Sequence, residues 1–173
     1  MEDRRILVLD CTPKKEPREG QLLKSFFAIC KVFKPRQAAS LYYPVTSKTK
    51  FLKKLGTKKR YDIIHISAHG SSTGIGCGKA WEVSPDEIKS VHSARTKLVH
   101  VSACQSSYKE MADAFNSEFF LAPRTDIEWI DAAMFSMMFY KRYIVDGISM
   151  RNAFEYARTR TQTASVYPNL WEE

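Results

Sequence analysis

An α/β fold, with a mostly parallel, doubly wound sheet flanked by helices, is predicted by two observations. Residues 61–67 and 97–103 are short runs of apolar and β-branched residues, each followed by turn residues. Such runs read as strands buried on both faces, the kind found in parallel sheets. Along the chain, strand-like runs of this type alternate with amphipathic helical stretches, the pattern of a doubly wound sheet. A length of 173 residues suits one domain, residues 1–173, around a sizeable core. No repeat, low-complexity tract or linker divides it.

The elements follow in order. Residues 4–10 (RRILVLD) form a first strand with Asp10 at its carboxyl end, and residues 11–20 a loop rich in Pro and charge. In residues 21–33, Leu22, Leu23, Phe26, Phe27, Ile29, Cys30 and Phe33 recur at helical spacing. Residues 38–43 make a second strand closed by Pro44, and residues 47–55 a basic helix with Gly56 as its C-cap. After the 61–67 strand comes a Gly-rich loop over 71–78. Ser84, Pro85 and Glu87 then spell a capping box at a helix start. The 97–103 strand is followed by a helix over about 108–115 and a fifth strand over 118–122. Residues 128–145 are apolar nearly all round, which predicts one long helix buried against the sheet and ended by Gly147. Ser149 caps a last helix to about Arg160.

The formal net charge is +8, unevenly spread. Residues 1–60 hold 16 Lys and Arg against 5 Asp and Glu, and the remainder 11 against 14. A solvated face or a surface for a protein partner accounts for the basic third better than nucleic acid does, because no aromatic-rich basic motif accompanies it. No stretch approaches membrane-spanning length, and residues 1–5 lead directly into a strand, so neither a membrane span nor a signal peptide is expected. The four cysteines form no CxxC pair. The expectation is a reduced, cytoplasmic protein with free thiols.

The chemistry collects where the two most apolar strands end, one at His69-Gly70 and the other at Cys104. In open α/β sheets, reactive groups gather just beyond the carboxyl ends of the strands. Parallel neighbouring strands, roughly 4.8 Å apart, would bring imidazole and thiol together for nucleophilic catalysis. Taken singly, each residue has a blander role, Cys as a small buried hydrophobe and His as a satisfied polar group; on consecutive strands the pair favours a dyad. His65 lies inside its strand and reads as a core histidine. The spacing of His65, His69 and Cys77 fits no standard zinc pattern, so no metal and no cofactor is expected.

These residues carry a resemblance. His65, His69-Gly70, and Ser102-Ala103-Cys104-Gln105-Ser106, followed by Asp131-Ala132-Ala133, Phe139-Tyr140, Gly147, Ala153 and Ala157-Arg158, resemble the caspase-like cysteine peptidases of clan CD, and most closely the CHAT domain branch. The resemblance runs from about residue 61 to 160. It implies a caspase-like sheet, Cys104 as nucleophile, and His69 as the general acid/base that protonates the leaving amine. The backbone N–H groups of Gly70 and Cys104 would hold the oxyanion. Ser106 and Ser107 are small enough to leave room beside the sulfur.

In caspase-like folds the position two before the nucleophile and the loop after the following strand line the specificity pocket. By that resemblance Ser102, Arg124, Asp126 and Glu128 are candidate substrate-binding residues. Asp126 also reads as the N-cap of the long helix, with Glu128 in its first turn. The resemblance implies a cysteine endopeptidase acting on a protein substrate, an effector in defence or regulated cell death held in check by a regulatory protein partner, with residues 1–60 as a docking face. The alternative is a catalytically inactive caspase-like scaffold. Caspases dimerise through a strand after their last helix. Residues 161–173, with Pro168 among them, are poorly suited to one, which predicts a monomer.

Overall fold

The structure is a computed structural model that describes residues 4–172. The first three residues, which begin the stretch expected to lack a signal peptide, lie outside them. Six strands form the main sheet: β1 (Arg5–Asp10), β2 (Ala39–Pro44), β3 (Ile63–Ser67), β7 (Thr96–Ser102), β8 (Ser117–Leu121) and β9 (Leu170–Glu172), in the order β2-β1-β3-β7-β8-β9. All neighbouring pairs are parallel except β8–β9. The α/β class and the mostly parallel sheet are as the strand pattern predicts.

Strands β1, β3 and β7 sit at the centre, and every residue of β3 is buried. Period-two alternation sends Leu7, Ile64, Ile66, Val99 and Val101 to one face, and Ile6, Val8, Ile63 and Leu98 to the other. The first face is covered by α2 (Lys48–Leu55), α3 (Pro85–Val91) and α4 (Lys109–Ala114), through Phe51, Ile88 and Met111. The second is covered by α1 (Glu19–Phe33), α5 (Trp129–Tyr140) and α6 (Met150–Arg160), through Phe27, Phe135, Phe139 and Phe154. Truncating a fully buried ring such as Phe27 to Ala removes about 3–5 kcal/mol of stability. No helix among the described residues is long and apolar enough to cross a membrane.

Local chemistry sets the helix starts. Ser47 and Ser149 accept backbone N–H bonds at the starts of α2 and α6, and Ser84 and Glu87 form the full capping box of α3. Four expectations are corrected. The stretch read as a Gly-rich loop contributes to a second, antiparallel sheet of β4 (His69–Gly70), β5 (Ile75–Gly76) and β6 (Glu82–Val83), so His69 begins a strand. The long helix does not continue as one α-helix: residues Lys141–Val145 widen into a π turn, where the Asp146 N–H reaches back to the Lys141 carbonyl and the Asp146 carboxylate takes both Lys141 and Arg142. Asp126 is not its N-cap. Glu128 occupies that position without a side-chain bond, because Asp126 is engaged by the Gln105 amide at 2.9 Å. Finally, the tail does form a strand. Pro168 precedes β9 instead of interrupting it, and its carbonyl accepts from Arg158 at 3.1 Å, so residues 170–172 can pair with β8.

Candidate active site

Strands β3 and β7 are parallel neighbours in the register Ser67↔Ser102. Pairing extends one step further, because the Ala68 N–H donates to the Ser102 carbonyl at 3.1 Å. His69 and Cys104 therefore leave the sheet together at its carboxyl edge. Both line a cleft of about 260 Å³ whose other walls are Ala68, Ser102, Ala103, Ala132 and residues 126–129. Gly70 packs so tightly on this turn that a Cβ there would overlap the Cys104 carbonyl oxygen and lie 3.0 Å from the Ala103 Cβ.

The loop after Cys104 is held from several sides. Gln105 takes a left-handed backbone conformation (φ 55°), a strained state for a residue with a side chain. Its N–H reaches the Thr125 carbonyl at 3.3 Å, and the Ser107 N–H reaches Pro123 at 3.0 Å. Ser106 is fully buried and donates to the Ala103 carbonyl at 2.6 Å, so it locks the turn more than it clears space. The Ser107 hydroxyl accepts from the Trp171 indole at 3.0 Å. Among the described residues the Cys104 N–H makes no hydrogen bond to the protein.

The sulfur itself sits against the backbone of Ile127, which donates its N–H at 3.5 Å and offers its carbonyl to the thiol at 3.8 Å. No thiol–imidazole hydrogen bond forms. The His69 Nε2 is instead 2.6 Å from the Glu16 carboxylate, both side chains being roughly one-third exposed. The Trp129 indole meets the imidazole edge-on, with centroids 5.4 Å apart. With Nε2–H donating to Glu16, Nδ1 carries the free lone pair, a tautomer inferred from that bond.

Burial acts on the other three thiols. It raises Cys11 well above the usual thiol range, assisted by the Asp10 charge and Cys77, and raises Cys30 and Cys77 too, with Glu16 and Asp10 adding at Cys77. Cys104 is partly accessible in its cleft.

Behind the site lies a buried polar cluster. The His65 and His100 rings stand 4.7 Å apart, and the Tyr140 hydroxyl lies 3.1 and 3.3 Å from their Nδ1 atoms. Glu19, fully buried from α1, accepts from Ser136 at 2.7 Å and lies 3.6 Å from His65 Nε2. Burial alone would raise its carboxyl, yet His65 and the neighbouring hydroxyls outweigh that and lower it. Burial and the neighbouring His65 push His100 well below its ordinary value. His65 is thus a core residue, as expected, but a hydrogen-bonded one.

Of the four candidate substrate contacts, Ser102, Asp126 and Glu128 line the cleft with Cys104. Arg124 does not; it borders an adjoining groove with Gln105, Tyr108 and Glu110, and Asp126 lines both. Sequence reasoning missed Glu16, Glu19, His100 and Trp129. Glu19 carried a signal, since it falls on the helical stripe of Leu23, Phe27 and Cys30, and His100 shares the inward alternation of His65. Glu16 carried none, because its partner is 53 residues away across a loop. Comparison of the chain with protein-family models and with curated protein sequences finds no match.

Proposed function

We propose that the chain is a caspase-like cysteine endopeptidase, closest in kind to the CHAT branch, cleaving a protein substrate with Cys104 and His69. The observation that carries this reading is the emergence of thiol and imidazole from adjacent parallel strands into one cleft, with Gly70 pressed against the Cys104 turn. The Cys104 thiol gives its proton to His69 Nδ1 as the sulfur attacks the scissile carbonyl carbon, and the N–H groups of Gly70 and Cys104 receive the developing oxyanion. His69 delivers a proton to the leaving amine as the C–N bond breaks, and water then hydrolyses the thioester with the same imidazole as base. Glu16 orients the ring and favours the tautomer with Nδ1 free to work. The space between sulfur and imidazole is where the peptide bond enters, and catalytic bonds of this kind often tighten only with substrate present.

Partner regulation in the cytoplasm belongs to the same proposal. Leu22, Ile29, Val32 and Phe33 stand exposed on α1, beside Lys24, Lys31 and Lys34, an apolar stripe with a basic margin within the first 60 residues. An inactive scaffold is favoured by one fact, the engagement of the sulfur by Ile127 in place of His69. Peptide-library cleavage by the purified chain, alone and in lysate, separates the two. Activity abolished by Cys104→Ala and by His69→Ala, each with an unchanged thermal transition, supports the peptidase. Equal activity in Cys104→Ala overturns it.

A further inference from the structure

We propose that the cleft beside Cys104 is a selective site for a basic side chain, so that a Lys or Arg residue precedes the bond that is cut. The inference rests on the endopeptidase reading for its catalytic half, but the charge of the cleft stands independently of it.

The cleft has two carboxylates and no Lys or Arg; its one basic group, His69, is already held by Glu16. Asp126 and Glu128 line it, and neither forms an ion pair among the described residues; Asp126 spends one oxygen on the Gln105 amide and keeps the other, and Glu128 spends neither. Arg124, the nearby residue of opposite sign, borders the neighbouring groove, which meets the cleft at Asp126. Its backbone N–H donates to the Val166 carbonyl at 2.7 Å.

The deep end of the cleft supplies a second observation. Ser102 is 2% exposed, and its hydroxyl faces the Glu19 carboxylate and the Tyr167 hydroxyl without full hydrogen-bond geometry to either, although a buried hydroxyl ordinarily finds a well-aligned partner. Alternation along β7 sends Ser102 to the same face as His100, the face covered by α5, and α5 contributes the cleft residues Trp129 and Ala132. Nearby, Glu19 holds a lowered, ionised carboxyl with one oxygen unbonded.

These groups match one class of side chain. An ammonium or guanidinium placed past the thiol finds the Ser102 hydroxyl as acceptor, two carboxylates at the mouth and the field of a third behind. Its aliphatic stem passes the Trp129 ring and the methyls of Ala68, Ala103 and Ala132, which suits a long flexible chain with a charged tip. A carboxylate in the same place meets the like charges of Asp126 and Glu128, and the one basic group there, His69, is engaged by Glu16. A large apolar side chain removes water from Asp126 and Glu128 without replacing its hydrogen bonds.

The test uses the full chain and two readouts. In the first, Cys104 is alkylated with iodoacetamide and followed by peptide mass spectrometry in the presence of benzamidine, glutarate or cyclohexane carboxamide. Benzamidine is expected to slow modification of Cys104 and not of Cys77, and the Asp126→Asn/Glu128→Gln variant, shown to be folded by its thermal transition, is expected to lose that protection. Because both residues are exposed, this variant should fold; Ser102→Ala provides an independent second variant with weakened protection. No protection, or equal protection by glutarate or the neutral amide, overturns the proposal. In the second readout, fluorogenic peptides differing only in the residue before the cut are compared. Lys and Arg substrates are expected to exceed Asp and Leu by at least about tenfold in kcat/KM, with the margin reduced in the double variant. Cleavage preferring Asp or Leu overturns the specificity and leaves the peptidase intact. Protection by benzamidine with no cleavage of any peptide upholds the cation-binding cleft and overturns the peptidase.

Discussion

Glu16 gives His69 its orientation from a loop with no regular structure, and the 2.6 Å contact is short enough to fix the ring. Replacing Glu16 by Gln keeps the size and removes the charge. The expected result is a fall in kcat of about tenfold or more, with KM unchanged and part of the rate restored by Glu16→Asp. A KM effect of the same size would mean that the residue binds substrate instead of positioning the imidazole. Among the four thiols, burial raises Cys11, Cys30 and Cys77. Cys104, partly accessible in a cleft it shares with His69, is expected to be the first site alkylated near neutral pH; first labelling at Cys77 would redirect attention to the small sheet.

At the scale of elements, the β4 start and the Cys104 turn act as one unit, since the Gly70 backbone lies against the Cys104 carbonyl. Gly70→Ala forces that contact apart. A loss of about 1–3 kcal/mol is expected, read by urea titration, together with loss of cleavage beyond what the stability change explains. The union of α5 with the sheet is more polar. Tyr140 brings one hydroxyl to the Nδ1 atoms of two buried histidines on adjacent strands. Tyr140→Phe leaves both without that partner and is expected to cost about 1–3 kcal/mol. A neutral outcome would mean that the two rings rearrange to satisfy themselves.

The buried cluster also sets the pH response of the whole molecule. His100 is held well below its ordinary 6.5 by burial and by His65, and His92 is lowered by burial. The unfolded chain therefore takes up protons below about pH 6.5 that the folded chain refuses, and stability falls as the solution is acidified. Glu19, whose folded carboxyl lies below its ordinary 4.5 although burial opposes this, adds a second loss below pH 4.5. Around His100 the other titratable groups are His65, Tyr140 and, through ring contact, Tyr167, with Glu19 beyond His65. Melting temperatures between pH 8 and 4 are expected to decline first near 6.5. In His100→Asn the protein is expected to be less stable at pH 8 but to lose less on acidification; an unchanged slope would assign the acid response to other groups.

Periodicity alone was enough for the sheet and most helices, because apolar runs of strand length and stripes at helical spacing bury in only a few ways. It also placed Cys104 and His69 at strand ends, where a parallel register of Ser67 on Ser102 brings them together. Capping was equally local: Ser47, Ser84 and Ser149 satisfy N–H groups three residues away. What periodicity could not carry is whatever depends on partners distant in the chain. Asp126 has the composition of an N-cap, but Gln105, twenty-one residues earlier, holds its side chain. Pro168 discouraged a strand, yet pairing needs only the three residues after it. The sign of charge in the cleft was undecided among Arg124, Asp126 and Glu128, which stand within five residues of one another in the chain. The path of the backbone around Pro123 and Thr125 turns Arg124 into an adjoining groove that shares Asp126 with the cleft, and leaves both carboxylates lining the cleft of the thiol. Which side chains share a cleft is a matter of tertiary packing, and no local pattern encodes it.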